Sequence, residues 1–282
     1  MTGLNADTIL DAVAAITRGF AARQEAGQGH PIPADYCVTN TSERVVNLVL
    51  GTARLGRNSE QRSDMTHRAG AGADTRPRII HLSQLFDPEP TFKGLDFIKG
   101  LEESGFEVEV VTGFPNYPGG TVYDGYRIRP LTRERMEGTA VTRLAVYPSH
   151  DRSAIRRIAC YASFMVTSFF YLTFRARRSE LIYVYYPALT AGLAAVAVKF
   201  FRRTPVLLDV QDMWPDSLGS SGMMRNRVLL GIANAACNFL YRRCDHILVL
   251  SPGFKALLVE RGVPADKITV VYNWADEPER TA

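Results

Sequence analysis

The sequence predicts an α/β fold: a doubly wound, mainly parallel sheet, preceded by a short helical N-terminal extension. Three observations lead there. From residue 78 onward, short apolar runs alternate with amphipathic helical patterns. Those runs lack strict apolar/polar alternation, as expected of strands covered on both faces. A tract at residues 56–77, GRNSEQRSDMTHRAGAGADTRP, carries almost no large apolar side chains and separates this region from what precedes it. Such a tract cannot bury enough surface to offset chain entropy and reads as a flexible linker.

Composition sets the bounds. The chain has 282 residues, 46% hydrophobic and 22% charged, which is ordinary globular usage and enough to build a substantial core. Lys and Arg total 33 against 29 Asp and Glu, a formal charge of +4. That excess is too mild to indicate a nucleic-acid partner, and it suits weak attraction to an anionic membrane surface. The four cysteines, Cys37, Cys160, Cys237 and Cys244, form no CxxC pair and gather no His, so no metal site is expected. Their usage fits a reducing cytoplasm. Cys237 and Cys244 read as facing one side of a helix, too far apart to bridge without distortion. The opening residues lack a basic stretch followed by an apolar one, so no secretory signal is expected.

Within residues 1–55, Ile9, Val13, Ile16 and Phe20 recur at helical spacing and predict a helix over 7–24. A Gly/Pro-rich break follows, then a short helix over 42–50 with Ser42 as its N-cap. After the linker come a strand in RIIHLSQLF, a helix over 93–104 ended by Gly105, a strand in FEVEVVTGF, and two short strands near 126–129 and 141–147. A long helix is predicted over 153–174. Strands at 181–185, 206–210, 246–250 and 268–272 then alternate with helices at 189–201, 226–243 and 252–261. Right-handed crossovers make this an open, doubly wound sheet.

In such sheets ligands bind at the carboxyl ends of the strands, which singles out four segments. FDPEPTFKG places Asp87 and Glu89 beside two prolines, and Lys93 and Gly94 at a helix start suited to phosphate or sugar hydroxyls. A Pro-rich turn with capping acids would use the same residues. GFPNYPGGTVYDGY offers Asn116 and Tyr117 for amide and ring contacts to a sugar, or an ordinary turn. YPSHDRS gathers His150, Asp151 and Arg152 before a helix, where a His–Asp pair could handle protons or merely cap the helix. DVQDMWPDS is the strongest segment, a strand running straight into Gln211, Asp212, Trp214 and Asp216. Trp214 suits stacking on a sugar, and Asp212 suits orienting a hydroxyl or stabilising a cationic sugar-like transition state. Structural turns and a core Trp are the plainer alternative. No GxGxxG fingerprint is present, which argues against a nicotinamide-dependent oxidoreductase.

The run at 158–174 contains no charge and is flanked by arginines on both sides. It is at the short limit for a membrane span. A half-buried helix lying in the membrane interface is expected, with Arg156, Arg157, Phe164, Phe169, Phe170 and Arg175 as contacts. A fully buried core helix remains the alternative.

The segments HLSQLFDPEPTFKG, VVTGFPNYPGGTVYDGY, YPSHDRSAIRRIACYASF, DVQDMWPDSL and SPGFKALLVERGVPADKITVVYNWAD resemble the amino-terminal half of glycosyltransferase family 4, of GT-B fold. Within it they look most like bacterial O-antigen and capsule N-acetyl-L-fucosamine transferases. The resemblance spans residues 78–276. It implies a retaining, metal-independent transfer from a nucleotide-diphosphate sugar, a UDP-sugar, to a saccharide on a polyprenyl diphosphate. The enzyme would work in the cytoplasm, peripherally on the inner face of the bacterial cytoplasmic membrane. It also implies that this half holds the acceptor, with Ser251 and the loop residues above as contacts and Asp212 as the matching acid. Gln211 stands where the family often carries His. The donor-gripping half is expected to be absent from this chain, whose sequence ends DEPERTA. A separate donor-binding domain or chain would then complete the site, and the alternative is a non-catalytic acceptor-binding subunit. Residues 1–55 resemble the C-terminal tail of non-hydrolysing UDP-N-acetylglucosamine 2-epimerases, as a remnant of an adjacent gene.

Overall fold

The computed structural model describes residues 76–149, 154–186, 189–214 and 227–273, together with Val45 and Val49. All of these belong to one compact unit, Asn40–Ala282. The expected helix at 7–24 and nearly all of the linker lie outside the described residues. Val45 and Val49 are helical and fully buried, within the stretch expected to form the second short helix.

The strands are β1 (Arg78–Leu82), β2 (Glu107–Gly113), β3 (Leu131–Met136), β4 (Thr139–Leu144), β5 (Leu181–Tyr186), β6 (Val206–Val210), β7 (His246–Val249) and β8 (Ile268–Val270). The helices are α1 (Leu95–Glu103), α2 (Ala154–Phe174), α3 (Leu189–Arg202), α4 (Arg227–Arg243) and α5 (Pro252–Glu260). The strands form one sheet in the order β3-β4-β2-β1-β5-β6-β7-β8. Every neighbouring pair is parallel except β3 with β4. The expected α/β fold, a mainly parallel doubly wound sheet, is the one observed.

Burial explains why the apolar runs become strands. All five residues of β6 are buried, as are the last six of β2, because helices cover both faces. On one face Phe164, Tyr171, Ala195, Cys237, Leu240 and Leu258 of α2–α5 pack with Ile80, Val111, Val184 and Leu208. On the other, Phe97, Ile98 and Leu101 of α1 pack with Val45, Val49, Ile79, Tyr183 and Leu207. Gly192 lets α3 approach α4 closely, since a Cβ there would lie 2.6 Å from Leu240.

One expectation is corrected. The strand placed near 126–129 lies instead at Leu131–Met136. That segment, LTRERM, is a charged edge strand with half-exposed and exposed residues, so it lacks the apolar signal of the inner strands. It turns into β4 through Glu137 and Gly138, at φ 47° and 95°, the left-handed pair that a tight hairpin requires.

The long apolar helix is neither a free span nor fully buried. Arg156–Phe174 is long and apolar enough to cross a membrane. Yet Phe164, Ser168, Tyr171 and Leu172 are buried against the sheet, and Tyr171 donates a hydrogen bond to Glu109 of β2. Phe164, expected as a membrane contact, is thus a core residue, whereas Phe170 is exposed and Phe169 half-buried. Arg156 and Arg175 are exposed and Arg157 half-buried. Cys160, Cys237 and Cys244 are buried and form no disulfide, and Cys244 follows α4 instead of lying within it, its thiol pushed up to about 12 by burial.

Candidate functional site

The loops after β1, β2, β4, β6 and β7 and the chain after β8 all leave the sheet at one edge, because these strands run parallel. The structure joins them through polar side chains, and several residues expected to face a ligand turn out to make these joints.

Glu89 is the first joint. Its side chain is buried, and Oε1 accepts 2.7 Å hydrogen bonds from the backbone amides of both Asn116 and Tyr117, while Oε2 accepts from Phe86 N at 3.3 Å. It ties the loop after β1 to the loop after β2. Burial pushes its carboxyl up, opposed by these three amides and by the charge of Arg143. Asn116 is also buried, its side-chain amide donating to Phe114 O at 2.8 Å. Tyr117 is half-buried and accepts from the Tyr123 hydroxyl through its carbonyl.

Asp87 caps α1. Its Oδ2 accepts from Leu95 N at 2.8 Å, so the helix N-terminus is occupied by the protein's own carboxylate. Gly94 exists for that contact: a Cβ there would lie 2.4 Å from Asp87 Oδ2. The Asp87 carbonyl accepts from Arg143, a fully buried guanidinium of β4 that also bonds Glu134 and the Gly113 carbonyl and lies 4.8 Å over the ring of Tyr126. Arg143 is invisible as a site residue in the sequence, where it is one Arg in a strand.

Beneath the rim lies a second polar assembly. Lys93, almost fully buried, sets its Nζ 3.9 Å from Asp209 Oδ2 of β6 and 5.1 Å from the centre of the Phe97 ring. Asp209 accepts from the Tyr183 hydroxyl and, at 2.6 Å, from Gln211 Nε2. Gln211 Oε1 accepts in turn from Asn273 Nδ2 at 3.0 Å. Both ends of the Gln211 amide are therefore engaged within the protein. Burial lowers the Lys93 pKa, which the Asp209 charge opposes, and burial with the Asp209 charge holds the Tyr183 hydroxyl far above its ordinary value. His81 stacks on Tyr183 with ring centres 5.5 Å apart and is held neutral, at about 3, by burial and by the charge of Lys93.

Exposed and half-buried aromatic side chains and the carboxylate of Asp212 face outward here. Asp212 is exposed on the loop after β6. Trp214 is half-buried, its ring edge-on to Tyr161 of α2 at 6.4 Å and its carbonyl accepting from Arg261. Tyr161 is near enough for the charge of Asp212 to raise its pKa, although burial is the main cause. Phe92, after β1, is exposed, and so is Tyr147, after β4. Ser251 caps α5, its hydroxyl accepting from Phe254 N at 3.2 Å. His150, Asp151, Arg152 and Asp216 lie outside the described residues. Tyr161, Phe92 and Asn273 went unread in the sequence: Tyr161 comes from mid-helix, Asn273 from the far end of the chain, and only the bulk of Phe92 in a polar loop hinted at exposure. Among the described residues no group of three His, Cys, Asp or Glu side chains could hold a metal ion.

Chemically, this edge offers a carboxylate in water beside aromatic faces, on a rigid base of buried hydrogen bonds. Such a surface suits a polyhydroxylated ring, which stacks through its C–H face and hydrogen-bonds through its hydroxyls.

The chain is 28% identical over 201 residues to WcaI of Escherichia coli (strain K12), named as a colanic acid biosynthesis glycosyl transferase; the match takes in 68% of this chain and 48% of that protein. The chain thus spans about half the length of this relative. Among solved structures, Anabaena Alr3699/HepE in complex with UDP and glucose aligns with 71% of this chain and 45% of its own, at 16% identity and a TM-score of 0.39. Sucrose-phosphate synthase from Thermosynechococcus elongatus aligns with 70% of this chain and 48% of its own, at 13% identity and a TM-score of 0.46. Residues 95–274, well over half of the chain, match the glycosyl transferase 4-like domain, and the chain belongs to that family.

Proposed function

We propose that this chain is the acceptor-binding half of a glycosyltransferase of surface polysaccharide synthesis. The donor is a nucleotide-diphosphate sugar, a UDP-sugar carrying N-acetyl-L-fucosamine. The acceptor is a saccharide on a polyprenyl diphosphate at the inner face of the cytoplasmic membrane, in O-antigen or capsule assembly. The observation that carries the reading is the exposed Asp212 beside Trp214 and Tyr161 at the strand-end edge of a chain belonging to this family. The likeness to a named colanic acid glycosyl transferase supports the polysaccharide setting. The sugar, the retaining outcome and the lipid carrier rest on the resemblance of residues 78–276.

In this reading the rings of Phe92, Tyr161 and Trp214 hold the acceptor sugar, and Asp212 accepts a hydrogen bond from the attacking hydroxyl, orienting its oxygen. Gln211 takes no proton, because an amide has no basic lone pair near neutral pH and its two ends are bound to Asp209 and Asn273. Asp212, exposed beside Trp214 and Tyr161, is then the carboxylate placed to relieve the hydroxyl of its proton. The donor's nucleotide and diphosphate are held by a second domain or chain.

The test is transfer of sugar from UDP-sugars to polyprenyl-diphosphate saccharides by the purified chain, with and without a candidate donor-binding half. Transfer with the second half present, abolished by Asp212→Ala, supports the reading. Unchanged turnover in that variant removes Asp212 from the mechanism. Tight acceptor binding with no transfer under any pairing identifies a non-catalytic subunit instead.

A further inference from the structure

The helices α2, α3 and α4 lie side by side over one face of the sheet. Helices covering a sheet are ordinarily polar on their outer sides. These are not. Val166, Phe170, Phe174, Phe200, Ile232 and Phe239 are exposed, Phe174 by 70% and Phe200 by 81%. Many of the exposed rings touch one another. Phe174 stacks on Phe170, Phe170 meets Phe169 edge-on at 5.4 Å, Phe169 meets Phe201 at 5.8 Å, and Phe201 meets Phe200 at 5.6 Å. A shallow groove of about 430 Å³ continues from Phe200 and Phe201 across to Phe239 and Arg243 of α4. A contiguous apolar surface of this kind marks an interaction site.

Charge identifies the occupant. None of the three helices contains a single Asp or Glu. Arg175, Arg177 and Arg178 follow α2, Arg203 follows α3, and Arg242 and Arg243 end α4; all six are exposed. Arg177 bonds Glu107, which leaves the border still strongly cationic. The Arg243 guanidinium lies 5.5 Å over the Phe239 ring, so cation and apolar surface are already one unit. A second copy of the chain would bring the same cations against themselves across a two-fold interface. A bilayer with anionic headgroups accepts both the rings and the arginines.

We infer that the outer face of α2–α4, centred on Phe170, Phe174, Phe200, Phe201 and Phe239 with Arg242 and Arg243 at its border, is a docking surface for an anionic lipid bilayer. The rings enter the boundary between headgroups and acyl chains, and the arginines hold phosphate groups. Crossovers between parallel strands run back along the sheet, so the helix ends bearing Phe174, Phe200 and Phe239 lie at the edge opposite Asp212. The bilayer is therefore gripped away from the candidate site, which stays open to solutes. This inference deepens the proposed reading, sharing with it only a membrane-borne acceptor. The binding assay needs no sugar transfer, so the two can fail separately.

The experiment is flotation of the full chain with vesicles of phosphatidylcholine, or of phosphatidylcholine and phosphatidylglycerol in equal parts, at low and high salt. Binding is expected to the anionic vesicles and to weaken at high salt. The variant Phe200→Ser/Phe201→Ser, altering two exposed rings, is expected to lose about tenfold in binding while keeping its thermal midpoint. Arg242→Gln/Arg243→Gln is expected to lose about tenfold as well. Absence of binding to either vesicle overturns the inference. So does a dimer that the Phe200/Phe201 variant dissociates, which would assign the face to a second copy. Full binding by both variants with loss in Arg156→Gln/Arg157→Gln overturns the assignment of the surface, moving the contact to the start of α2.

Discussion

The ammonium of Lys93 stands 3.9 Å from the carboxylate of Asp209, and both side chains are almost wholly withdrawn from water. The pair joins the start of α1 to the middle of the sheet. Removing one partner strands the other charge, a change that costs about 3–5 kcal/mol in comparable buried pairs. Lys93→Met is expected to lower stability by that order in urea unfolding. Asp209→Asn, which keeps hydrogen bonding to Tyr183 and Gln211, is expected to cost less. The double variant should cost less than the sum of the two single variants, as for groups in direct contact.

Glu89 bridges two loops through the amides of Asn116 and Tyr117. Glu89→Ala leaves those donors without a partner in a buried setting, at about 1–3 kcal/mol for each unsatisfied group. Faster hydrogen exchange at Asn116 and Tyr117, with the amides of β6 unchanged, is the expected signature. Uniform acceleration across the sheet would mean that Glu89 supports the whole fold and not a loop joint.

His81 has no hydrogen-bond partner at either ring nitrogen and is held neutral, at about 3. Its unfolded value is near 6.5, so between these limits the unfolded chain binds a proton that the folded chain refuses. Stability from this residue is complete above about pH 6.5 and is lost as pH falls toward 3. The loss is of the order of 5 kcal/mol across that window, by the conversion of pKa difference to free energy. His81→Phe keeps an aromatic ring against Tyr183 and is expected to flatten the acid limb of the stability profile. An unchanged profile would show that His81 gains a proton without opening the core.

Gly94 stands where a methyl group would meet Asp87 Oδ2 at 2.4 Å. Gly94→Ala is expected to push Asp87 off the Leu95 amide and to cost about 1–3 kcal/mol. Because the clash is with that one side chain, the same substitution made on an Asp87→Ala background should cost far less. Equal costs in both backgrounds would place the strain in the backbone.

How much of this was legible depends on what each residue needs in order to act. Runs such as VLLDV and LIYVYY declare strands because a sheet covered on both faces demands apolar residues at every position. The strand LTRERM did not, because an exposed edge imposes no such demand and its arginines and glutamates look like a loop. The strand-end segments were also legible as places where polar residues gather. Their roles were not. Glu89, Asp87, Lys93 and Gln211 carry the same letters whether they hold a ligand or one another, and here the structure pairs them internally with partners distant in sequence, as Lys93 with Asp209 and Gln211 with Asn273. Phe164 and Phe170 lie in one uncharged run, and only the angle at which α2 meets the sheet decides that one is core and the other faces outward.

The hydrogen bond from Asn273 to Gln211 has a mechanical meaning. It fastens the departing chain, three residues beyond β8, to the segment bearing Asp212. Anything attached downstream of that point can transmit a twist or a pull to the Asp212 loop through a single amide. A hinge motion in that direction would not need to cross the interior of the domain, since the linkage already runs along its surface edge.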